Sequence, residues 1–544
     1  MTIKGYRKKI TQDLALLALL LLFLSAGCQK IDEEIAPLII DQPEVLQAQT
    51  ADPMGTASPT GAASTAGAAS QRPPTNAPLS TETPIPTAAP KPSVKVYSPS
   101  NWSVTIEGSI ASLNAGNSIY HWKIVDEERV ADLIISTDSG DFFAGRRPLA
   151  LTVPFSTDWD QLTIEEANKI ILNGHPLVEV QDIFELRPNN RALKIDGIGP
   201  FDVNYPLKQS WSVIPKKGFE EAAEELSHIL IQTPNSGPFI RLAAVGDIML
   251  DRSLGDEIQQ GNIGYPFELV IEELTAADLT VGNLESSLGD IGEPANKSYT
   301  FQAPPGAAKS LAYAGFDLLS LANNHALDYG QDALIQGINL LQREGIDVVG
   351  AGANVVKASS PIYLESKGIK VAFLAYVDVQ VEGSGFDTRS WTADLSSPGL
   401  NWTDPGKIAH DVAGAKDNSD IVIVLLHSGI EYMKQPSPEQ SAAAKAAIDA
   451  GADLIVGHHA HVLQGLEFYK DGVIVYGLGN FAFDIDGDPN SGILNVWLDK
   501  DGVRQIGLLP AVVQPGGQPR LASPSEASDI KDKLYYLTDL LNGG

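Results

Sequence analysis

The chain has 544 residues, 43% of them hydrophobic, which leaves room for two or more domains with sizeable cores. Its 68 acidic and 38 basic residues give a formal net charge of −30. That balance argues against nucleic-acid binding, which needs a basic surface, and against adhesion to anionic lipid through protein charge. A single cysteine excludes an intrachain disulfide.

Residues 1–28 read as an export signal. A basic cluster, MTIKGYRKK, precedes an apolar run over 14–24, followed by Ser25, Ala26, Gly27 and Cys28. The run is shorter than the ~20 residues of an ordinary membrane-spanning helix. The LSAGC end resembles the bacterial lipoprotein signal, in which the cysteine is lipidated and becomes the new N-terminus. Leu24 stands four positions before Cys28, where the usual pattern has three. The resemblance implies an extracytoplasmic protein tethered by acyl chains at Cys28 to the outer face of the bacterial cell membrane.

Residues 29–95 are expected to be a linker, dominated from about 42 by Ala, Thr, Pro, Ser and Gly, with too little apolar surface to order it. A smaller α/β domain is expected over 96–235. Within it, PLALTVPFSTDWDQLTIEEANKIILNG reads as strand, turn and helix, with Thr163 and Glu166 at capping-box spacing. This stretch, with the later YPLKQSW and a helix over 218–230, resembles one lobe of the phosphate-type periplasmic solute-binding proteins.

A second unit is expected over 239–515. Strands are predicted at 239–246, 278–282, 316–321, 346–350, 370–376, 420–426, 453–457 and 473–477. Helices are predicted at 265–276, 306–314, 331–344, 404–416 and 437–450. This alternation predicts an α/β domain with buried, largely parallel strands and a ligand site beyond their carboxyl ends. Residues 516–544 read as a tail ending in a short helix, 526–541.

Polar residues gather where the apolar runs stop. Gly246-Asp247 follows RLAAV, Gly282-Asn283-Leu284-Glu285 follows DLTV, and Asn323-Asn324-His325 with Asp328 follows DLLSLA. His427 follows IVIVLL, Gly457-His458-His459-Ala460-His461 follows DLIV, and Gly479-Asn480 follows VIVYGL. Four of the nine histidines thus fall between 427 and 461. Carboxylate, carboxamide and imidazole are the donors that hold borderline divalent metals, and the set leaves Mn, Zn and Fe open. The other account is a hydrogen-bonded histidine cluster without metal. If 459–461 is extended, both outer rings face one side.

The motifs GDIML, GNLESS, ANNHALDYG, HSGIEY, GHHAHVLQ and GLGNF, in this order, resemble the CapA family of poly-γ-glutamate capsule synthesis proteins, relatives of the calcineurin-like metallophosphoesterases. The resemblance spans residues 240 to about 490 and implies an α/β/β/α sandwich holding one or two divalent ions. It assigns Asp247, Glu285 (or, less readily, the neighbouring Asn283), Asn324, His427, His459 and His461 to metal. His325 would face the substrate; Asp328 is read either as its orienting partner or as a helix N-terminal acid, and Arg252 either as neutralising developing charge or, more readily, as half of a surface ion pair. Met249 stands where phosphoesterases usually have a histidine ligand; Ser428 and Ala460 replace the family's frequent Trp and Pro. The implied activity is metal-dependent hydrolysis of a phosphoester or of an amide in an anionic polymer. The rival is a non-catalytic part of a polymer synthesis or export assembly, with membrane proteins as partners.

Overall fold

The computed structural model describes residues 39–40, 91–98, 103–232, 239–484 and 487–543. The expected signal, Cys28 and most of the expected linker lie outside the described residues. Two short strands nevertheless fall within 29–95: Ile39–Ile40, paired antiparallel with Leu207–Pro215, and the start of Ser93–Tyr97. Among the described residues no helix is long and apolar enough to cross a membrane.

Residues 93–232 build a mixed sheet ordered His121–Ile124, Ser93–Tyr97, Leu133–Ser136, Leu207–Pro215, Phe142–Pro154, Glu179–Asp182. Helices Ser103–Ala115 and Glu220–Gln232 cover one part of it through Ile106, Ile110, Leu226 and Leu230. The capping box holds: Thr163 accepts from the Glu166 amide and Glu166 accepts from the Thr163 amide, starting the helix Ile164–Asn173. This part docks on the rest of the chain through aromatic contacts, Phe201 stacked on Trp497 and Phe155 edge-on to Tyr535.

From residue 240 onward two sheets pack face to face. The first runs Asp347–Val349, Leu318–Ser320, Leu279–Leu284, Ile240–Met249, Asn490–Asp499, Gly502–Val513, Pro519–Leu521. Its first four strands are parallel and the rest antiparallel. The second runs Ile362–Ser366, Ile369–Asp378, Ile421–Ser428, Leu454–His458, Gly472–Val475, Leu466–Tyr469. The apolar run IVIVLL is buried on both faces, which explains why it shows no polar alternation. Ile421, Ile423 and Leu425 point into the core between the sheets. Val422, Val424 and Leu426 point under helices Pro405–Lys416 and Pro438–Asp449. Helices Ala307–Tyr313 and Gly330–Arg343 cover the outside of the first sheet, giving the α/β/β/α layering that the family resemblance implied.

Three expectations need correction. The helix expected over 265–276 is a run of tight turns followed by a single helix, Ile271–Thr275, because Pro266 and Gly264 favour turns there. The antiparallel strands Asn490–Asp499 and Gly502–Val513 went unpredicted. The C-terminal helix is not short: Pro524–Asn542 has 19 residues, and its Ile530, Leu534 and Tyr535 join the core between the sheets.

Two glycines let the strand ends converge. A Cβ on Gly246 would lie 2.0 Å from the Gly479 carbonyl oxygen, and one on Gly457 2.0 Å from that of Tyr476. Gly246 precedes Asp247 and Gly457 opens the 458–461 turn, so close backbone approach is what positions both. Gly457→Ala should therefore cost about 1–3 kcal/mol by overpacking. Gly414→Ala, in a helix interior with nothing within 4 Å of the new methyl, should instead stabilise by about 0.5–1 kcal/mol. Denaturant unfolding of the two variants checks both signs.

Candidate metal centre

The carboxyl ends of the central strands bring the predicted donors together. Asp247, Glu285, Asn324, His427, His459 and His461 are all buried. Two donor groups form, one of Asp247, Glu285 and His427, the other of Glu285, His459 and His461, each with ligand atoms within 4.8 Å of one another. Glu285 belongs to both. Its carboxylate is fully buried, and neither oxygen has a hydrogen-bond partner. The nearest imidazole nitrogens, His427 Nε2 and His461 Nε2, stand 3.6 Å and 3.9 Å from Oε1. Burial first, and the Asp247 charge second, push the Glu285 carboxyl well above the usual range.

The surrounding polar groups aim these donors. Asn283 donates to Asp247 Oδ1 at 2.8 Å and accepts from Asn323 at 3.1 Å. With both ends of its amide engaged, Asn283 orients Asp247, and Glu285 is the shared carboxylate. The Asn283 amide also faces His427 Nδ1 at 3.2 Å, and His427 Nε2 lies 2.8 Å from Asn324 Oδ1 and 3.6 Å from Glu285 Oε1, on the side a metal would take. Asn480 Oδ1 takes the His461 Nδ1 proton at 2.8 Å, which leaves Nε2 toward Glu285. The His459 amide donates to Asp247 Oδ2 at 3.1 Å, and the His459 Nδ1 atom is buried without a partner.

The rings of His459 and His461 do converge, but not because the segment is extended. The strand ends at His458, and His459 and His461 adopt left-handed backbones with φ of 89° and 56°. Such conformations cost roughly 1–3 kcal/mol each and concentrate at functional sites. His458 turns away and binds the Val245 carbonyl at 3.1 Å, a structural role.

Burial also pushes the His427 imidazole well below its ordinary value, with the neighbouring imidazoles adding to it, and takes His459 down to about 3. Neutral imidazole is the ligand form. His325 sits beside Asn324 and donates Nδ1–H to Asp328 Oδ2 at 2.7 Å. Desolvation lowers its pKa against the pull of Asp328, so without metal it is neutral, with Nε2 an acceptor. To donate a proton to a leaving group, His325 would first have to gain one during the reaction.

Arg252 is not brought into the centre. It is exposed, donates to the Asp484 carbonyl at 2.8 Å, and touches the site only through Phe301, whose ring contacts His325. Met249 is buried with Phe301 and Phe483 in an apolar cluster beside His461. Residues that sequence reasoning missed are Lys297, in a loop with no motif to mark it, and Glu382, four positions past the apolar strand Ile369–Asp378. A cleft of about 620 Å³ opens beside His459 and is lined by Asp378, Glu382, Glu431 and Glu439 with no basic side chain.

The donor chemistry fits a divalent metal: a buried carboxylate lacking any hydrogen-bond partner stands among imidazoles and a second carboxylate, a setting that a cation would compensate.

A match to the family model of the bacterial capsule synthesis protein PGA_cap covers residues 241–485. The capsule biosynthesis protein CapA of Bacillus anthracis is 34% identical over 304 residues, covering 54% of this chain and 71% of its own length. The PGA biosynthesis protein CapA of Bacillus subtilis is 34% identical over 271 residues, covering 49% of this chain and 70% of its own. Among solved structures, a phosphatase from Mycoplasma pneumoniae aligns with 54% of this chain and 98% of its own, at 12% identity and a TM-score of 0.35.

The lone carboxylate generates a pH-dependent prediction. In metal-free protein a raised Glu285 pKa means the folded state loses stability as pH rises above the unfolded Glu value of about 4.3. Metal-free Glu285→Gln should thus melt higher than wild type at pH 7, with the gain shrinking toward pH 4. Added Mn or Zn should reverse the order by stabilising wild type more. Differential scanning calorimetry with and without chelator reads both. On sequence and motif alike, this chain belongs to the bacterial capsule synthesis (CapA, PGA_cap) family.

Proposed function

We propose that the chain is a metal-dependent hydrolase of phosphoester or amide bonds serving the synthesis of poly-γ-glutamate or another envelope polymer. The observation that carries this is the orphaned Glu285 carboxylate shared by two donor groups. Asp247, Glu285, Asn324, His427, His459 and His461 would hold one or two ions, Mn, Zn or Fe. When bound, such ions polarise an ester or amide oxygen and lower the pKa of a water ligand to ~7.

The chain's own groups do the rest. Asn283 and Asn480 fix Asp247 and His461, so little reorganisation is needed on binding. His325, held by Asp328, moves a proton at Nε2 at the substrate side. Residues 239–515 with the C-terminal helix form the working unit, and lipid at Cys28 holds it on the outer face of the membrane beside polymer-synthesis partners.

The purified chain, loaded with Mn, Zn or Fe, should bind two ions and turn over generic phosphodiesters or γ-glutamyl peptides. His325→Ala should lower kcat by about 10²–10⁴-fold. No turnover with metal bound overturns the hydrolase reading. Separately, Cys28→Ser should move the protein from the membrane to the soluble fraction of a bacterial host; unchanged membrane retention would remove the lipid anchor.

A second reading, a non-catalytic component of a polymer synthesis assembly, is favoured by Met249 in place of a ligand and by the acidic cleft. An anionic chain entering that cleft meets Asp378, Glu431 and Glu439, with Glu382 already paired to Lys297, and needs cations to screen them. One ion or none per chain supports this reading over catalysis.

A further inference from the structure

We infer that Lys297 is a positioning residue for the Asn324–His325 pair: a single buried ammonium holds two carboxylates that aim the amide and the imidazole of the metal centre. This rests on the metal-centre reading of those residues and adds a part that no motif marks. The Lys297 side chain is wholly buried. Its three donors meet Glu382 Oε1 at 2.6 Å, the Asn324 carbonyl at 2.7 Å and Asp328 Oδ1 at 2.7 Å. The Asp328 contact is an ion pair with an angle poor for a hydrogen bond, since that oxygen has no aligned donor. Trp391 and Phe386 face the ammonium at 5.0 Å and 5.8 Å, adding cation–π attraction in a dry setting.

Each carboxylate has a second task. Glu382 Oε1 accepts from Asn324 Nδ2 at 3.0 Å. A carboxylate can only accept, so the amide must turn its NH2 outward and its Oδ1 toward His427 and the centre. Asp328 Oδ2 accepts from His325 Nδ1 and from the Phe301 amide, which leaves His325 Nε2 free. Glu382 and Asp328 are nearly or fully buried. Without the cation their charges would be uncompensated, and each would be released from its aiming contact. The loop with Lys297 is itself anchored by the Ala295 amide on the Asp328 carbonyl at 2.7 Å. The ammonium thus links a loop of the first sheet to the segment after Ile369–Asp378 in the second.

Chelator-competition titration of the full chain with Zn or Mn tests this without needing turnover. Glu382→Gln and Lys297→Met should each weaken metal affinity by about 10–100-fold, the usual effect of losing a partner that orients a ligand. The double variant should lose no more than the worse single one, because both act through Asn324. Lys297→Met leaves two carboxylates facing each other, so Glu382→Gln, which removes a charge, decides the matter if the Met variant does not fold. Wild-type affinity in folded Glu382→Gln overturns the inference alone. A wild-type chain that binds no metal overturns the metal centre and the inference together.

Discussion

A carboxylate sealed from water with no donor near it is the constraint on which this structure turns. Glu285 is fully buried, both of its oxygens are unpartnered, and Asp247 adds a second negative charge beside it. Proteins avoid this arrangement because desolvating a charge costs several kcal/mol unless an opposite charge compensates it. Burial lowers the pKa of His427 and His459, so these two imidazoles do not compensate it. The site is therefore built at the expense of the metal-free fold, and a cation would complete it.

The scaffold that tolerates this cost is a two-sheet sandwich with a continuous apolar core. Strands buried on both faces end together at one edge, and the glycines at 246 and 457 allow backbones to approach so closely that no side chain would fit. At that edge two donor residues, His459 and His461, hold left-handed backbones. Around the donors, Asn283, Asn480, Glu382 and Asp328 each spend a hydrogen bond on aiming a neighbour. Membership of the capsule synthesis family names a process; the chemistry at the site remains the property of these residues.

Much of this was legible in the sequence, for a physical reason. Strands covered on both faces read as unbroken apolar runs, so IVIVLL and DLIV mark themselves, and polar residues after them stand out. The ligand types followed from that. What was illegible depended on tertiary distance. Lys297 lies in a loop with no pattern, and its role exists only because Glu382, 85 positions on, folds back against it. Arg252 is adjacent to a motif yet faces solvent. The extended geometry assumed for 459–461 failed because the strand stops at His458 and the chain turns sharply. The antiparallel strands at 490–513 alternate buried and half-buried positions, a weaker signal than the parallel runs. The tail helix was legible at 526–541; its packing of Ile530, Leu534 and Tyr535 into the core depends on tertiary distance and was not.

The most direct test is anomalous diffraction from crystals grown with Mn. The account predicts two anomalous peaks flanking the Glu285 carboxylate, one toward Asp247 and His427 and the other toward His459 and His461. Crystals containing Mn with no peak at Glu285, and with that carboxylate still unpartnered, would contradict it.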